Sequence, residues 1–260
     1  RKKEHNQYFI SQVSTVALEM LKRVNRKSYK IAYNSVGAFA SINHLHLQAL
    51  DYQEEKMPVE ETEKKLLFKD KDVSVWTLPN WFSETLVLTS NNAQALHTQL
   101  LKLISVLQLQ ELNQPFNIVF TYDNPYYRIY VFPRKFEDTS KNTSKFGTGV
   151  AYLELAGEVL FVKQIDKTME ESLKAYEEAT EADLADEIRK VGVGKKRFEE
   201  IINKFNSSNE EENEKPLLTL LKDSEVIKTN AQNAVKNLIR FGQEHIFEYW
   251  FELSAEEKEE

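Results

Sequence analysis

The sequence predicts an α+β fold in which helices pack on an antiparallel β-sheet. Residues 116–122 and 127–133 are strand-like runs joined by an Asp-Asn-Pro turn sequence, which predicts an antiparallel pair. Apolar residues recur at helical spacing in residues 5–25, and again from residue 91 or 92 to about residue 112. Each of these helices has an apolar face that it must bury against the sheet.

Composition limits the class of protein. With 260 residues and 41% hydrophobic side chains, the chain is long enough for the core of a soluble globular protein. A net charge of -7 and a pI near 5.5 argue against binding of a nucleic acid polymer, which normally needs a basic surface. The sequence has no apolar run near the roughly 20 residues that span a bilayer and no visible signal peptide. We therefore expect no membrane association.

The chain contains no cysteine. This excludes disulfides and thiolate zinc sites, and it fits a reducing compartment. We therefore expect a cytoplasmic protein.

The first elements lead to a group of polar residues. Residues 5–25 predict an amphipathic helix, and residues 28–34 alternate as a strand. A turn at Gly37 then precedes a second predicted strand, which includes residues 44–48. The predicted order is helix, strand, loop and strand.

The middle of the chain continues the sheet. The charged residues 51–72 predict an exposed connection. Residues 73–78 and 85–89 are rich in β-forming side chains and predict two strands. Asn91 or Asn92 is expected to cap the helix that follows, which would then cover one face of the sheet.

Beyond the strand pair the sequence becomes polar and then helical. Residues 136–148 are rich in serine and threonine and predict a mobile loop, and residues 150–163 predict a strand that contains a glycine. Residues 167–191 predict helices with a break near Thr180, and residues 195–205 predict one more helix.

Three parts are predicted along the chain. Residues 1–205 form the sheet-containing domain, residues 206–215 have the composition of a linker, and residues 216–260 are a helical C-terminal segment. The aromatic stripe of this segment is too apolar to lie bare, so we expect it to dock on this domain or on a partner, giving a homodimer or larger assembly. The stripe comprises Phe241, Phe247, Tyr249, Trp250 and Phe251.

The most informative residues lie in the second predicted strand. In an extended strand His44, His46 and Gln48 share one face, while the two leucines between them point into apolar packing. An imidazole can attack phosphorus and leave again, which splits a difficult transfer into two easier steps. Its other ring nitrogen then needs a partner that fixes the tautomer, and a nearby carbonyl would serve.

The residues around the histidines suit phosphate chemistry as well. A glutamine amide can donate to a phosphoryl oxygen without titrating, and the small residues Gly37, Ala38 and Ala40 let a phosphate or sugar approach the backbone closely. The pattern favours phosphoryl or nucleotidyl transfer. Two other interpretations stay open, a coincidental histidine pair on a half-buried strand and a metal site built on His-x-His.

The same residues carry a family resemblance. The sequence His-Leu-His-Leu-Gln resembles the His-x-His-x-Gln signature of the nucleotidyltransferase branch of the histidine triad superfamily. Residues 33–48 are similar to the motif segment of the GDP-hexose phosphorylases, which act on GDP-D-glucose or, in plants, GDP-L-galactose. The similarity covers roughly residues 8–205 and includes residues 115–118, 128–133, 153–157 and 197–200.

The resemblance implies a histidine-triad-like sheet and a covalent mechanism. His46 would attack the α-phosphorus of a GDP-hexose and expel hexose 1-phosphate, and inorganic phosphate would then take the guanylyl group and leave as GDP. His44 would orient the strand or bond the phosphate region, and Gln48 would hold α-phosphate oxygens. Neither a metal nor a cofactor is implied. Two alternatives remain, an ADP- or UDP-hexose as substrate and a noncatalytic domain that acts as a structural or interaction module in a larger assembly.

Further candidate residues are expected to bind substrate. Asn34, Ser35 and Ser41 would donate to sugar or phosphate, or else satisfy the backbone of the turn. Asn43 would bind ligand or cap the loop, and Gly37 would allow close approach.

The downstream candidates are Glu154 and Arg128. Glu154 matches a family Glu-x-x-Gly segment and would contact a hexose hydroxyl, with an exposed strand glutamate as the alternative. Arg128 would meet phosphate or form a surface salt bridge.

The resemblance also has a gap and an addition. The family has N-terminal strands ahead of the region matched here, and we expect a preceding segment to supply them. The alternatives are that a second chain supplies these strands, or that they were lost together with activity. Residues 241–253 resemble the start of UDP-N-acetylhexosamine pyrophosphorylases, with their Gly-Gln-Glu-His and Trp-x-x-Leu pattern.

Overall fold

The computed structural model describes residues 9–40, 42, 44–108, 114–136, 149–160 and 168–214. The chain divides into two compact units, Arg1–Asn206 and Ser207–Glu260. The strands are β1 Tyr29–Asn34, β2 Gln48–Asp51, β3 Lys65–Asp70, β4 Val73–Thr77, β5 Leu86–Ser90, β6 Phe116–Asp123 and β7 Tyr126–Pro133. The helices are α1 Ser11–Val24, α2 Pro58–Glu61, α3 Ala93–Gln108, α4 Tyr152–Leu155, α5 Met169–Glu177, α6 Glu181–Val191 and α7 Lys195–Glu214.

The strands form one antiparallel sheet in the order β2-β1-β6-β7-β5-β4-β3. The predicted β6–β7 pair lies at its centre, with Phe116 opposite Pro133 and Asp123 opposite Tyr126. The predicted α+β class and antiparallel sheet are therefore confirmed.

Alternation along the strands creates two apolar faces. On the first face, Ile31, Phe120 and Ile129 are fully buried beneath α1 and α3. On the second face, Val119 and Tyr130 are buried together with side chains from α4 and α6. Full burial of each large apolar side chain contributes about 1.5–3 kcal/mol, so both faces stabilise the sheet.

Local capping signals place the helix starts. Asn92 Oδ1 accepts hydrogen bonds of 3.1 Å from the backbone N–H groups of Gln94 and Ala95, which confirms the cap predicted for α3. Thr180 caps the start of α6, since its hydroxyl accepts from the Asp183 N–H at 3.3 Å. The predicted break near Thr180 is confirmed.

The prediction that residues 51–72 are mainly an exposed connection is wrong. The segment contains α2 and the edge strand β3, and Met57 and Val59 are fully buried against the second face. Glu60 forms a buried ion pair with Lys30 of β1, which fixes α2 to the sheet. The charges suggested exposure, but the Glu60 carboxylate is buried and paired, and other charged residues belong to the edge strand β3.

The predicted strand over residues 150–163 is also wrong within its described part. Residues 152–155 form α4, and Gly157 follows in a turn with φ +99°. Residues 161–163 lie outside the described residues, as do residues 137–148 of the predicted loop and the whole segment 216–260.

Helix α7 extends through most of the predicted linker, since it ends at Glu214 rather than near residue 205. The domain boundaries themselves stay predictions. Within the described part of the chain, no helix combines the length and apolarity needed to cross a membrane.

Candidate functional site

The candidate site lies in the connection between β1 and β2. We call residues 35–47 the histidine loop, because they carry His44 and His46 from the end of β1 to Gln48, the first residue of β2. Gln48 lies opposite Ala32 of β1. The predicted extended strand through both histidines is therefore wrong, because strand pairing begins only at Gln48.

The histidine loop nevertheless brings the two imidazoles together. Their ring centroids are 5.8 Å apart, with planes inclined at 61°. Leu45 and Leu47 pack against the core of the first face, as predicted. Apolar contacts of the leucines thus anchor the segment from which the histidines project.

The hydrogen bond of His46 defines its tautomer. Nδ1 of His46 lies 2.9 Å from the backbone carbonyl oxygen of His44. A carbonyl oxygen only accepts, so Nδ1 must carry the proton in this contact. In the neutral ring the lone pair then lies on Nε2, and this is the arrangement required of a nucleophilic imidazole.

Asn34 and Ser35 hold the start of the histidine loop. Ser35 Oγ accepts from the Phe116 N–H at 2.9 Å and donates to the Val36 carbonyl at 3.3 Å. Asn34 Oδ1 accepts from Asn117 Nδ2 at 2.5 Å, and both Asn34 and Ser35 are buried. These side chains satisfy backbone and neighbouring amide groups, while contact with sugar or phosphate stays a prediction.

Asn117 and Arg134 form a buried polar network beneath the same turn. Asn117 Nδ2 also donates to the Ala38 carbonyl at 2.9 Å, and Arg134 Nη1 donates to Asn117 Oδ1 at 3.4 Å and to the Val150 carbonyl. Burial lowers the pKa of Arg134 to about 10, and the nearby Glu154 carboxylate opposes that shift. Our sequence analysis assigned no role to either residue, although an asparagine inside an apolar strand is a signal of such a network.

Position 37 requires a glycine for two reasons, its backbone conformation and the aromatic ring that packs against it. Its φ is +75°, and a Cβ atom placed there would lie 2.4 Å from the ring of Phe136 and 3.2 Å from Pro115. The space beside Gly37 thus holds an aromatic ring, while approach of a phosphate or sugar to this backbone stays a prediction. Phe39, two residues later, also has a positive φ, +60°, and its ring lies directly against Gly149.

The structure contradicts one alternative for Glu154 and agrees with the salt bridge expected for Arg128. Glu154 lies on α4, is only 3% exposed, and accepts a hydrogen bond of 2.8 Å from the Ala151 N–H. Burial raises the pKa of its carboxyl above the ordinary value. The alternative interpretation of Glu154 as an exposed strand glutamate is therefore wrong. The guanidinium of Arg128 lies 3.9 Å from Asp123, within ion-pair distance. Hexose and phosphate contacts of these two residues stay predictions.

Ser41 and Asn43 lie outside the described residues. In the described ranges, no three histidine, aspartate or glutamate side chains gather in a group that would hold a metal ion.

The comparisons with known proteins agree with the family resemblance that the sequence motifs carry. A GDP-L-galactose phosphorylase 2 from Arabidopsis thaliana is 27% identical over 193 residues, which are 72% of this chain and 42% of that protein. The chain thus spans less than half the length of this relative.

Two solved structures are distant neighbours. A DUF4931 family protein from Bacillus cereus has 12% identity and a TM-score of 0.38, covering 66% of this chain and 82% of that one. A uridylyltransferase has 14% identity and a TM-score of 0.33, covering 69% of this chain and 68% of that one.

Family models match nearly the whole described chain. The model "GDPGP1-like, N-terminal domain" matches residues 1–50, and the model "GDPGP1-like, C-terminal domain" matches residues 54–211. The second match alone covers more than half of the sequence, so the chain belongs to the GDPGP1-like family.

Proposed function

We propose that this chain carries the nucleotidyl-transfer site of a GDP-hexose phosphorylase. The enzyme would convert a GDP-hexose and inorganic phosphate to hexose 1-phosphate and GDP, with His46 as the nucleophile. The observation that carries the proposal is the 2.9 Å contact between His46 Nδ1 and the His44 carbonyl, which leaves the lone pair of the neutral ring on Nε2. Membership of the GDPGP1-like family and likeness to a GDP-L-galactose phosphorylase support the choice of substrate.

In the first step, Nε2 of His46 attacks the α-phosphorus of the GDP-hexose. The new P–N bond forms as the bond from the α-phosphorus to the bridging oxygen breaks, and hexose 1-phosphate leaves with that electron pair. The ring becomes cationic when Nε2 bonds phosphorus, and the Nδ1–H bond to the His44 carbonyl stabilises this charge.

In the second step, an oxygen of inorganic phosphate attacks the same phosphorus. The P–N bond breaks, the electron pair returns to Nε2, and GDP leaves. His46 is then neutral again with its proton still on Nδ1. The His44 carbonyl serves both steps, because it keeps Nδ1 protonated throughout and so reserves Nε2 for phosphorus.

Gln48 and His44 have supporting roles in this proposal. Gln48 begins β2, so strand pairing with β1 fixes its backbone, and its amide donates to α-phosphate oxygens without changing charge. The His44 ring, 5.8 Å from the His46 ring between centroids, orients the loop or bonds the phosphate region. A hydrogen bond to the phosphate from either side chain would stabilise negative charge that grows in the transition state.

A phosphorolysis assay tests this function. The full chain is incubated with inorganic phosphate and, in separate reactions, GDP-glucose, GDP-galactose, ADP-glucose and UDP-glucose, and hexose 1-phosphate is measured. We expect phosphate-dependent product from a GDP-hexose and a loss of at least 1000-fold in His46→Ala, since removal of a covalent nucleophile eliminates the two-step route. A folded wild-type protein that is inactive with all four donors would favour the noncatalytic module, and preference for ADP- or UDP-glucose would overturn the choice of base.

A further inference from the structure

We propose that Phe136 forms the wall of the site against which the nucleobase stacks, an inference that rests on the proposed function. The imidazoles of His44 and His46 and the amide of Gln48 suit phosphate rather than a base. A GDP-hexose has one aromatic part, the guanine, and an aromatic side chain beside the loop is the group that would bind it.

The topology places Phe136 at the end of the sheet where the histidine loop begins and ends. At this end Asn34, the last residue of β1, lies opposite Asn117, and Phe116 lies opposite Pro133, the last residue of β7. Gln48 starts β2 beside the same end of β1. Phe136 follows Pro133 by three residues, so the chain leaves β7 at the same end of the sheet, two strands from β1.

The ring of Phe136 lies directly against the histidine loop. A Cβ atom at Gly37 would lie 2.4 Å and 2.7 Å from two atoms of the ring, so the absence of a side chain at Gly37 admits it. Hydrogen bonds of Ser35 and Asn117 fix this turn to β6. The ring therefore rests on a backbone segment whose position is set by the sheet.

Most of the Phe136 side chain is nevertheless exposed. Phe136 is 68% exposed, the largest value among the exposed large hydrophobic side chains of the described chain, and Val36 beside Gly37 is 44% exposed. An apolar ring that is supported by backbone on one side and open to solvent elsewhere offers a face for stacking. A purine would cover this face, while the ribose and phosphates would extend along the loop toward His46.

Direct binding of GDP to the full-length variants tests the proposal by calorimetry. We expect Phe136→Ala to weaken GDP binding about tenfold, because stacking on an aromatic side chain contributes an amount of this order per base. Phe136→Trp should bind as tightly as wild type, and Phe136→Leu, which keeps apolar bulk without an aromatic face, should be weakened like alanine. Since the side chain is mostly exposed, thermal unfolding of all three variants should remain near that of wild type.

Tyr126→Ala is the matched control. Tyr126 is also an exposed aromatic, 51% exposed, but it begins β7 at the opposite end of the strand from Pro133. Its loss should leave GDP affinity unchanged. Wild-type GDP affinity in Phe136→Ala would overturn the proposal, and so would an equal loss of affinity for hexose 1-phosphate, because the ring would then contact the sugar.

Failure of this inference is separable from failure of the proposed function. Covalent labelling of His46 by a GDP-hexose reports the proposed function, whereas GDP affinity reports the stacking wall. Normal labelling with GDP affinity independent of Phe136 would reject the wall alone. Phe136-dependent GDP binding without labelling would reject the covalent mechanism alone, and wild-type protein that binds no GDP would overturn both.

Discussion

The side-chain amide of Asn117 lies 2.9 Å from the backbone carbonyl oxygen of Ala38 and joins β6 to the histidine loop. The same amide donates to Asn34 Oδ1, and Asn117 is completely buried. One side chain in the centre of the sheet thus fixes both the last residue of β1 and the turn that follows it. The geometry of the loop depends on this buried polar group as well as on the packing of its leucines.

Asn117→Asp should destabilise the protein and slow any reaction at His46. The substitution keeps the shape but replaces two N–H donors by oxygen, which then faces Asn34 Oδ1 and the Ala38 carbonyl. We expect a loss of about 1–3 kcal/mol in the free energy of unfolding, the cost of leaving buried polar groups without partners. Urea denaturation measures it. Asn80→Asp is the matched control, because Asn80 is exposed and should change stability by less than about 0.5 kcal/mol.

Gly37→Ala should cost more than Gly194→Ala. Both glycines have positive φ, +75° and +80°, so each substitution incurs a backbone cost of about 1–2 kcal/mol. A Cβ atom at Gly194 meets nothing within 4 Å, whereas one at Gly37 meets the Phe136 ring. The double variant Gly37→Ala/Phe136→Ala should therefore approach the cost of Gly194→Ala. A double variant no more stable than Gly37→Ala would contradict the contact.

Burial of His97 should make stability depend on pH. His97 Nδ1 lies 2.7 Å from Ser14 Oγ between α1 and α3, and burial lowers the pKa of His97 below 6.5. The unfolded chain then binds more protons than the folded chain, so this contribution is present above about pH 6.5 and is lost as pH falls through the lower folded pKa. Denaturation at pH 7.5, 6.5 and 5.5 should show declining stability, with a shallower decline in His97→Gln. Equal slopes for the two proteins would contradict this assignment.

The Lys30–Glu60 ion pair should be essential to the attachment of α2. Both side chains are buried, and burial lowers the pKa of Lys30 while the Glu60 carboxylate opposes that shift. Glu60→Gln leaves a buried ammonium without its counter-charge and should cost about 3–5 kcal/mol of unfolding free energy. Glu19→Gln is the control, because the Arg23–Glu19 pair is exposed and such pairs contribute at most about 1 kcal/mol. Similar losses in the two variants would show that the buried pair has no special role.

Local signals were sufficient for much of the fold. The turn between β6 and β7, the Asn92 cap of α3 and the Thr180 start of α6 are each specified by a few neighbouring residues, and each was predicted. The helix α2 was missed because its burial depends on a partner, Lys30, that lies 30 residues away. Charge along the segment suggested exposure, although the decisive carboxylate is paired inside.

The candidate site could likewise be predicted from the sequence only in part. The spacing of His44, His46 and Gln48 is local and indicated the polar group, and the chemistry of a nucleophilic histidine indicated a hydrogen-bond partner such as a carbonyl. The roles of Asn117 and Phe136 depend on which strands pair and where β7 ends, and periodicity does not supply that information. The extended strand predicted through the histidines was wrong for a related reason, since pairing with β1 starts only at Gln48.

Covalent trapping tests the central claim most directly. The full chain is incubated with GDP-glucose or GDP-galactose labelled at the α-phosphate, without inorganic phosphate, then denatured in mild base and mapped by peptide. We predict label on His46, its absence from His46→Ala, and its release as GDP when phosphate is added before denaturation. Folded wild-type protein that retains no label from either donor, or equal label on His46→Ala, would contradict the account.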